Sequence, residues 1–180
     1  VMLILVERLN DPCSKRSNYF HQEEYLGIQP VALHHLYRAL DYLCDYNHLI
    51  QQTIYQSGRD LFNQQLDVVF YDVTTFYFES SVEHEGTLRQ KGFSKDGKIG
   101  STQVLFGLLI DKNKQPIGYK IYKGDTFEGH TFSDAVLKLK QSYTIDKIIV
   151  VADRGMMNKH NIECTEKENN YEFIIGEKLR

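Results

Sequence analysis

No stretch of the 180-residue chain is apolar over the roughly 18–20 residues that a membrane-spanning helix needs. The opening VMLILV is followed at once by Glu7 and Arg8, whereas a secretory signal carries its charge ahead of its apolar core. It is expected to be the end of a core helix, and the chain a piece cut at both ends from a longer protein. Cysteine is scarce: Cys13, Cys44 and Cys164 lie far apart with no metal-ligand or redox spacing. An odd, sparse count excludes a disulfide framework and suits reduced thiols in a cytoplasmic protein, each expected to be a buried structural residue. A strong net charge is also missing, since 21 basic and 24 acidic residues leave −3. SKDGKIG lacks the GxxxxGK[ST] spacing of a nucleotide-phosphate loop. No serine or cysteine stands out as a nucleophile.

What is present divides into two regimes. Residues 1–66 read as helical. QPVALHHLYRALDYLC places Leu33, Leu36, Leu40 and Leu43 three and four apart, with Pro30 at the expected first turn, and a second helix follows Asn47. NDPCSKRSNYF before it reads as a locally basic loop in which Pro12 limits helix. Residues 67–180 read as strands and helices in alternation. Strands are expected at 67–78, 102–111 and 118–124, joined by short turns that favour antiparallel pairing. A helix over HTFSDAVLKLKQSY follows, with Ser133 as its cap and Ala135, Val136 and Leu139 on one face. Next come the strand in DKIIVVADRG, a polar helix at 158–169 and the strand YEFIIGEKL, whose helical crossovers favour parallel pairing. The class is α/β: a mixed five-stranded sheet behind a helical N-terminal region.

Two acids sit at strand positions. Asp72 lies inside VVFYDVTTFYFES, between large and β-branched neighbours. Burying even an uncharged polar group there costs about 2–7 kcal/mol without a partner, so this carboxylate is expected to be buried and to bind something. Asp153 stands where the buried strand IIVVA gives way to a glycine turn, the end at which ligands gather in open α/β sheets. Capping of the next helix falls more naturally to Asn158. If their strands are neighbours, the two carboxylates face one place, and a hard divalent cation relieves their repulsion. Between residues 88 and 124, eight basic residues stand against Asp96 and Asp111. That run suits either a solvated face or a phosphate-facing surface.

The order of elements resembles the RNase H-like fold. YDVTT around Asp72, RQKGFSKDGK at 89–98, QVLFGLLIDKNKQPIGYKIYKGDT at 103–126 and VVADRGM at 150–156 narrow the resemblance to the DDE transposases of bacterial insertion sequences, those with a Tyr–Arg–Glu–Lys signature. LVERLNDPCSKRSNYF at 5–20 looks like the helical region ahead of the catalytic core in one branch. The resemblance implies that Asp72 and Asp153 are the first two catalytic acids and ligands of two Mg²⁺ ions, with Mn²⁺ as a possible substitute. Arg154 and Gly155 match the turn after the second acid. The third acid, a Glu on a helix beyond the last strand, has no match up to Arg180. KIGSTQ stands where relatives often carry a further Asp.

The implied reaction is attack by water at a transposon end, then attack of the freed 3′-hydroxyl on target DNA. DNA is the implied partner, the implied assembly on it is a homodimer or larger, and no membrane is involved. Arg89, Lys91, Lys95, Lys98 and Arg154 are the residues expected to hold its backbone. Two other readings stay open: an RNase H-like nuclease that cuts without joining, and a non-catalytic remnant that only binds DNA. The adjacent His34 and His35 point to different helix faces and do not suggest a shared metal. His130 is expected in a capping or surface role.

Overall fold

The computed structural model describes residues 1–57, 68–84, 86–92, 100–142, 148–152, 161, 163 and 171–175. They form two compact units, Val1–Ile50 and Gln51–Arg180.

The first unit is helical. Helix α1 (Met2–Asn10) turns Leu3, Ile4 and Glu7 inward, which is the one-sided stripe expected of an amphipathic helix. It ends just before Pro12. The stretch read as a loop instead re-forms a helix, α2 (Lys15–His21), because Ser14 caps it by accepting the Ser17 N–H at 3.1 Å. Pro12 breaks the chain between two helices rather than suppressing the second. A short 3₁₀ turn (Gln22–Glu24) leads on, where buried Gln22 accepts the Val31 N–H and donates to the Tyr19 carbonyl. Helix α3 (Leu33–Asp45) starts three residues later than Pro30 suggested, with Ala32 at its N-cap. Leu36 and Ala39 pack with Leu3 and Ile4, while Leu40 of the expected stripe is exposed. The second helix expected after Asn47 is present as α4 (Asn47–Ser57), which begins at Asn47 itself.

The second unit is built on a sheet: β1 (Val68–Tyr77), β2 (Gln90–Lys91), β3 (Thr102–Asp111), β4 (Pro116–Lys123), β5 (Ile148–Ala152) and β6 (Tyr171–Ile175). Strands β1, β3 and β4 pair antiparallel, and β1–β5 and β5–β6 pair parallel. That is the mixed five-stranded arrangement expected from the turn lengths and crossovers, plus the two-residue β2. The β3–β4 turn is tight: Asp111 accepts the N–H groups of Asn113 and Gln115, and Lys114 takes a positive φ of 64°. Helix α5 (Thr131–Ser142) is entered from a 3₁₀ turn at Glu128–His130. Ser133 therefore lies inside α5 rather than capping it, and the Thr131 hydroxyl donates to the Glu128 carbonyl at 2.7 Å. Of the polar helix expected at 158–169, only Asn161 and Glu163 are described.

One face of the sheet carries the core. Val69, Tyr71, Leu109, Ile117, Val150 and Ala152 point to it and meet Tyr55 of α4 and Phe132 and Ala135 of α5. The side chains of Val136 and Leu139 lie outside the described set. No described helix is long and apolar enough to cross a membrane. Cys44 is exposed and Cys13 only partly buried, against the expectation of buried structural thiols, and Cys164 lies outside the described residues.

Candidate active site on the open sheet face

Strand period decides where Asp72 points. Along β1, odd-numbered residues from Val69 onward face the core, and Phe70, Asp72, Thr74 and Phe76 face the other way. Asp72 is exposed, not buried as its apolar surroundings suggested. The neighbours that looked like shielding, Tyr71 and Val73, stand on the opposite face. Those sharing its face are open themselves, Phe70 at 40% and Phe76 at 51% exposure. Among the described residues its one hydrogen bond is local: Oδ1 accepts the Val73 N–H at 2.9 Å.

The register carries this face across the sheet. Asp72 pairs with Leu108 of β3, which pairs with Tyr119 of β4. Phe76 meets Phe106 edge-to-face at 5.7 Å, and Phe106 stacks on Tyr119 at 5.4 Å. A half-open aromatic row thus flanks the carboxylate. Sequence reasoning missed it, because the row exists only once β1, β3 and β4 are in register; the alternation Phe70, Thr74, Phe76 was its one visible sign.

On the other side of β1, the strand expected to neighbour it does so. Val69 pairs with Val150 and Tyr71 with Ala152. The residues immediately preceding Asp72 and Asp153 are therefore partners across two parallel strands. Asp153 and Arg154 lie outside the described residues, as do Lys95 and Lys98.

The basic run is only partly free. Arg89 is half-buried, its guanidinium 4.2 Å from the centroid of the Phe78 ring and donating to the Thr102 hydroxyl at 3.4 Å, so it anchors its own segment. Lys120 is paired with Asp134 at 2.5 Å. Lys91 and Lys123 are exposed. Lys91 does not lie in a plain loop: it belongs to β2, which pairs with Gln103 and Thr102 in line with β4. Two glycines permit this. A Cβ on Gly124 would stand 2.2 Å from the Gln103 carbonyl oxygen and 2.3 Å from that of Gln90, and one on Gly92 would meet the Gly124 carbonyl oxygen. The Gln103 amide fills the remaining space by donating to the Gly124 carbonyl at 2.8 Å. His130 is exposed beside Phe127, in keeping with a surface role.

Beneath Asp72, the core face holds two buried phenols. Burial raises Tyr71 above its ordinary pKa of 10.0; Asp134 and Asp72 push the same way, against the nearby hydroxyls of Thr131 and Tyr122. Burial also raises Tyr122, helped by Tyr71 and Asp134, and its hydroxyl donates to the Thr131 carbonyl at 3.1 Å.

No family model matches the chain, and no curated protein matches it. Solved structures do. The piggyBac transposase synaptic complex with hairpin DNA aligns over 97% of this chain and 39% of its own, at 12% identity and a TM-score of 0.54. The Mos1 transposase paired-end complex with left transposon end aligns over 96% of this chain and 56% of its own, at 14% identity and a TM-score of 0.39. The Mos1 strand transfer complex gives the same coverages at 13% identity and a TM-score of 0.40. The chain thus spans between 39% and 56% of the length of these neighbours. With a mixed sheet of this strand order, it has an RNase H-like fold, shared with the piggyBac transposase structure.

Proposed function

We propose that the chain is the core of a DDE transposase of the bacterial insertion-sequence kind, acting on DNA phosphodiesters with Asp72 and Asp153 as paired metal-holding acids. The observation that carries this reading is the Tyr71–Ala152 pair, since one further residue in the same register would set the two aspartates side by side. Strand alternation would then turn both away from the core, toward the open aromatic face.

The donors fit a hard divalent cation. Asp72 offers an exposed carboxylate with one oxygen engaged by a single N–H, and it belongs to no described group of three His, Cys, Asp or Glu ligands. Oxygen-only sites of one or two carboxylates suit Mg²⁺, with Mn²⁺ as a substitute. Bound there, a pair of such ions would neutralise phosphate charge and activate water or a 3′-hydroxyl. The work of this chain's own residues is positional. Asp72 is fixed on a strand whose other face is locked into the core, so its carboxylate is held without a buried partner. The open face leaves room for a DNA strand beside it. Lys91 and Lys123 offer exposed cations for the backbone, and each phosphate contact steepens the salt dependence of binding. Lys95, Lys98 and Arg154 would extend this surface. In this reading the intact protein is cytoplasmic and works on DNA as a dimer or larger assembly.

The test is product analysis with the intact protein and DNA carrying the element ends. Wild type should nick the ends and join them to a plasmid target, while Asp72→Asn and Asp153→Asn should bind DNA but neither cut nor join. Cutting without joining would establish the nuclease reading instead. Retained joining in either variant would remove that residue from the reaction.

A further inference from the structure

In the helical unit, α1 brings Glu7 to its inward face beside Leu3 and Ile4, and the corner after α1 returns Cys13 to it. His21, the last residue of α2, closes the group: one ligand atom from each of Glu7, Cys13 and His21 lies within 4.8 Å of the others. We infer that these three side chains form a structural zinc site, separate in residues and in chemistry from the acids on the sheet.

The carboxylate of Glu7 is 1% exposed, and its two oxygens are unequally served. Oε2 accepts from the Cys13 thiol, a weak donor, at 3.4 Å, and Oε1 is buried with no partner among the described residues. A buried carboxylate so poorly satisfied is unusual unless it is paired or coordinates a metal. The surroundings of the sulfur point the same way. Fully buried Asn18 donates its amide N–H to Cys13 Sγ at 3.0 Å, and its carbonyl accepts from Lys15 Nζ at 2.5 Å. An N–H aimed at sulfur fixes its orientation, as outer-shell partners do around metal ligands.

One soft sulfur, one imidazole nitrogen and one carboxylate oxygen select zinc, with cobalt as its spectroscopic stand-in, over the hard ions expected at Asp72. Zinc bonds of about 2.0–2.3 Å place tetrahedral ligands roughly 3.3–3.8 Å apart, so small side-chain movements close the set. Three protein ligands leave the fourth position to water. Binding releases the thiol proton to solvent and ties the end of α2 to α1 across the Pro12 break.

The probe is Co²⁺ added to the full 180-residue chain, then displaced by Zn²⁺. One equivalent should produce a sulfur-to-cobalt charge-transfer band, and Zn²⁺ should bleach it. The band should persist in a Cys44→Ser/Cys164→Ser variant, which keeps Cys13 as its sole thiol and leaves the cluster untouched, and in Asp72→Asn. His21→Gln should weaken zinc by at least about tenfold in a chelator competition. Absence of the band from the double variant, or unchanged zinc affinity in His21→Gln, overturns the site. Neither result bears on DNA joining, so the two proposals fail separately.

Discussion

Among the described residues, two carboxylates, Glu7 and Asp72, invert a common expectation. Glu7, on a helix, is 1% exposed and has an oxygen without a partner among the described residues; Asp72, inside an apolar strand, is exposed with an N–H beside it. Burial is thus the mark of the acid we assign to structure, and openness that of the acid we assign to chemistry. The difference is physically sensible. An acid that must receive a divalent ion and a DNA phosphate needs an approach path, and a strand with its other face in the core fixes it without enclosing it. An acid that staples two helices has no such need and gains from low dielectric once it is paired.

The sharpest way to break this comparison is to neutralise each acid in turn. Asp72→Asn should reduce cleavage and joining by a factor on the order of 10²–10³ or more, the loss typical of one electrostatic contact to a transition state. Its stability should stay within about 0.5 kcal/mol of wild type, as for a surface change. Glu7→Ala should do the reverse, lowering stability in a denaturant titration by roughly 1–3 kcal/mol while the DNA reaction survives. If Asp72→Asn unfolds the protein, or Glu7→Ala removes activity from a folded one, the division of roles is wrong.

A comparable effect on stability is expected at the edge that carries Lys91. Gly124→Ala forces a methyl against two backbone carbonyls that cannot swing aside, and should destabilise by about 1–3 kcal/mol in chemical denaturation. The two buried phenols give a milder signature. Both are held neutral above their ordinary value of 10.0 in the folded state, so their contribution is fully present below that pH and is lost as pH rises beyond it. Thermal stability should begin to fall above pH 10, by up to about 1.4 kcal/mol per pH unit for each phenol. Phenolate absorbance should lag behind that of the unfolded chain. Tyr122→Phe should flatten this slope without moving the DNA reaction below pH 9 or so.

Much of the sheet unit was legible because its signals are local. Apolar runs of strand length, the KNKQPIG turn and the helical spacing of Ala135 specified antiparallel pairing first and parallel pairing after. The facing of Asp72 was misread for a reason the strand itself supplies: side chains alternate, so the residues adjacent in sequence are those that cannot shield it. The helix α2 was missed because Pro12 and the polar run after it looked like a loop, whereas a proline two residues ahead of a serine cap is a break between helices. Glu7, Cys13 and His21, spaced six and eight apart across that break, match no ligand motif, and only the corner between α1 and α2 brings them together. The Lys91 edge depended on Gly92 and Gly124, whose role appears only when two backbones approach.

The most direct measurement is a crystal structure of the chain grown with excess Mn²⁺, read by its anomalous signal. An Mn²⁺ peak on the face shared with Phe70 and Phe76, contacting the carboxylates of both Asp72 and Asp153, is the expected result. Carboxylates directed to opposite faces of the sheet, or manganese bound to neither, would contradict the assignment of these two residues to one catalytic centre.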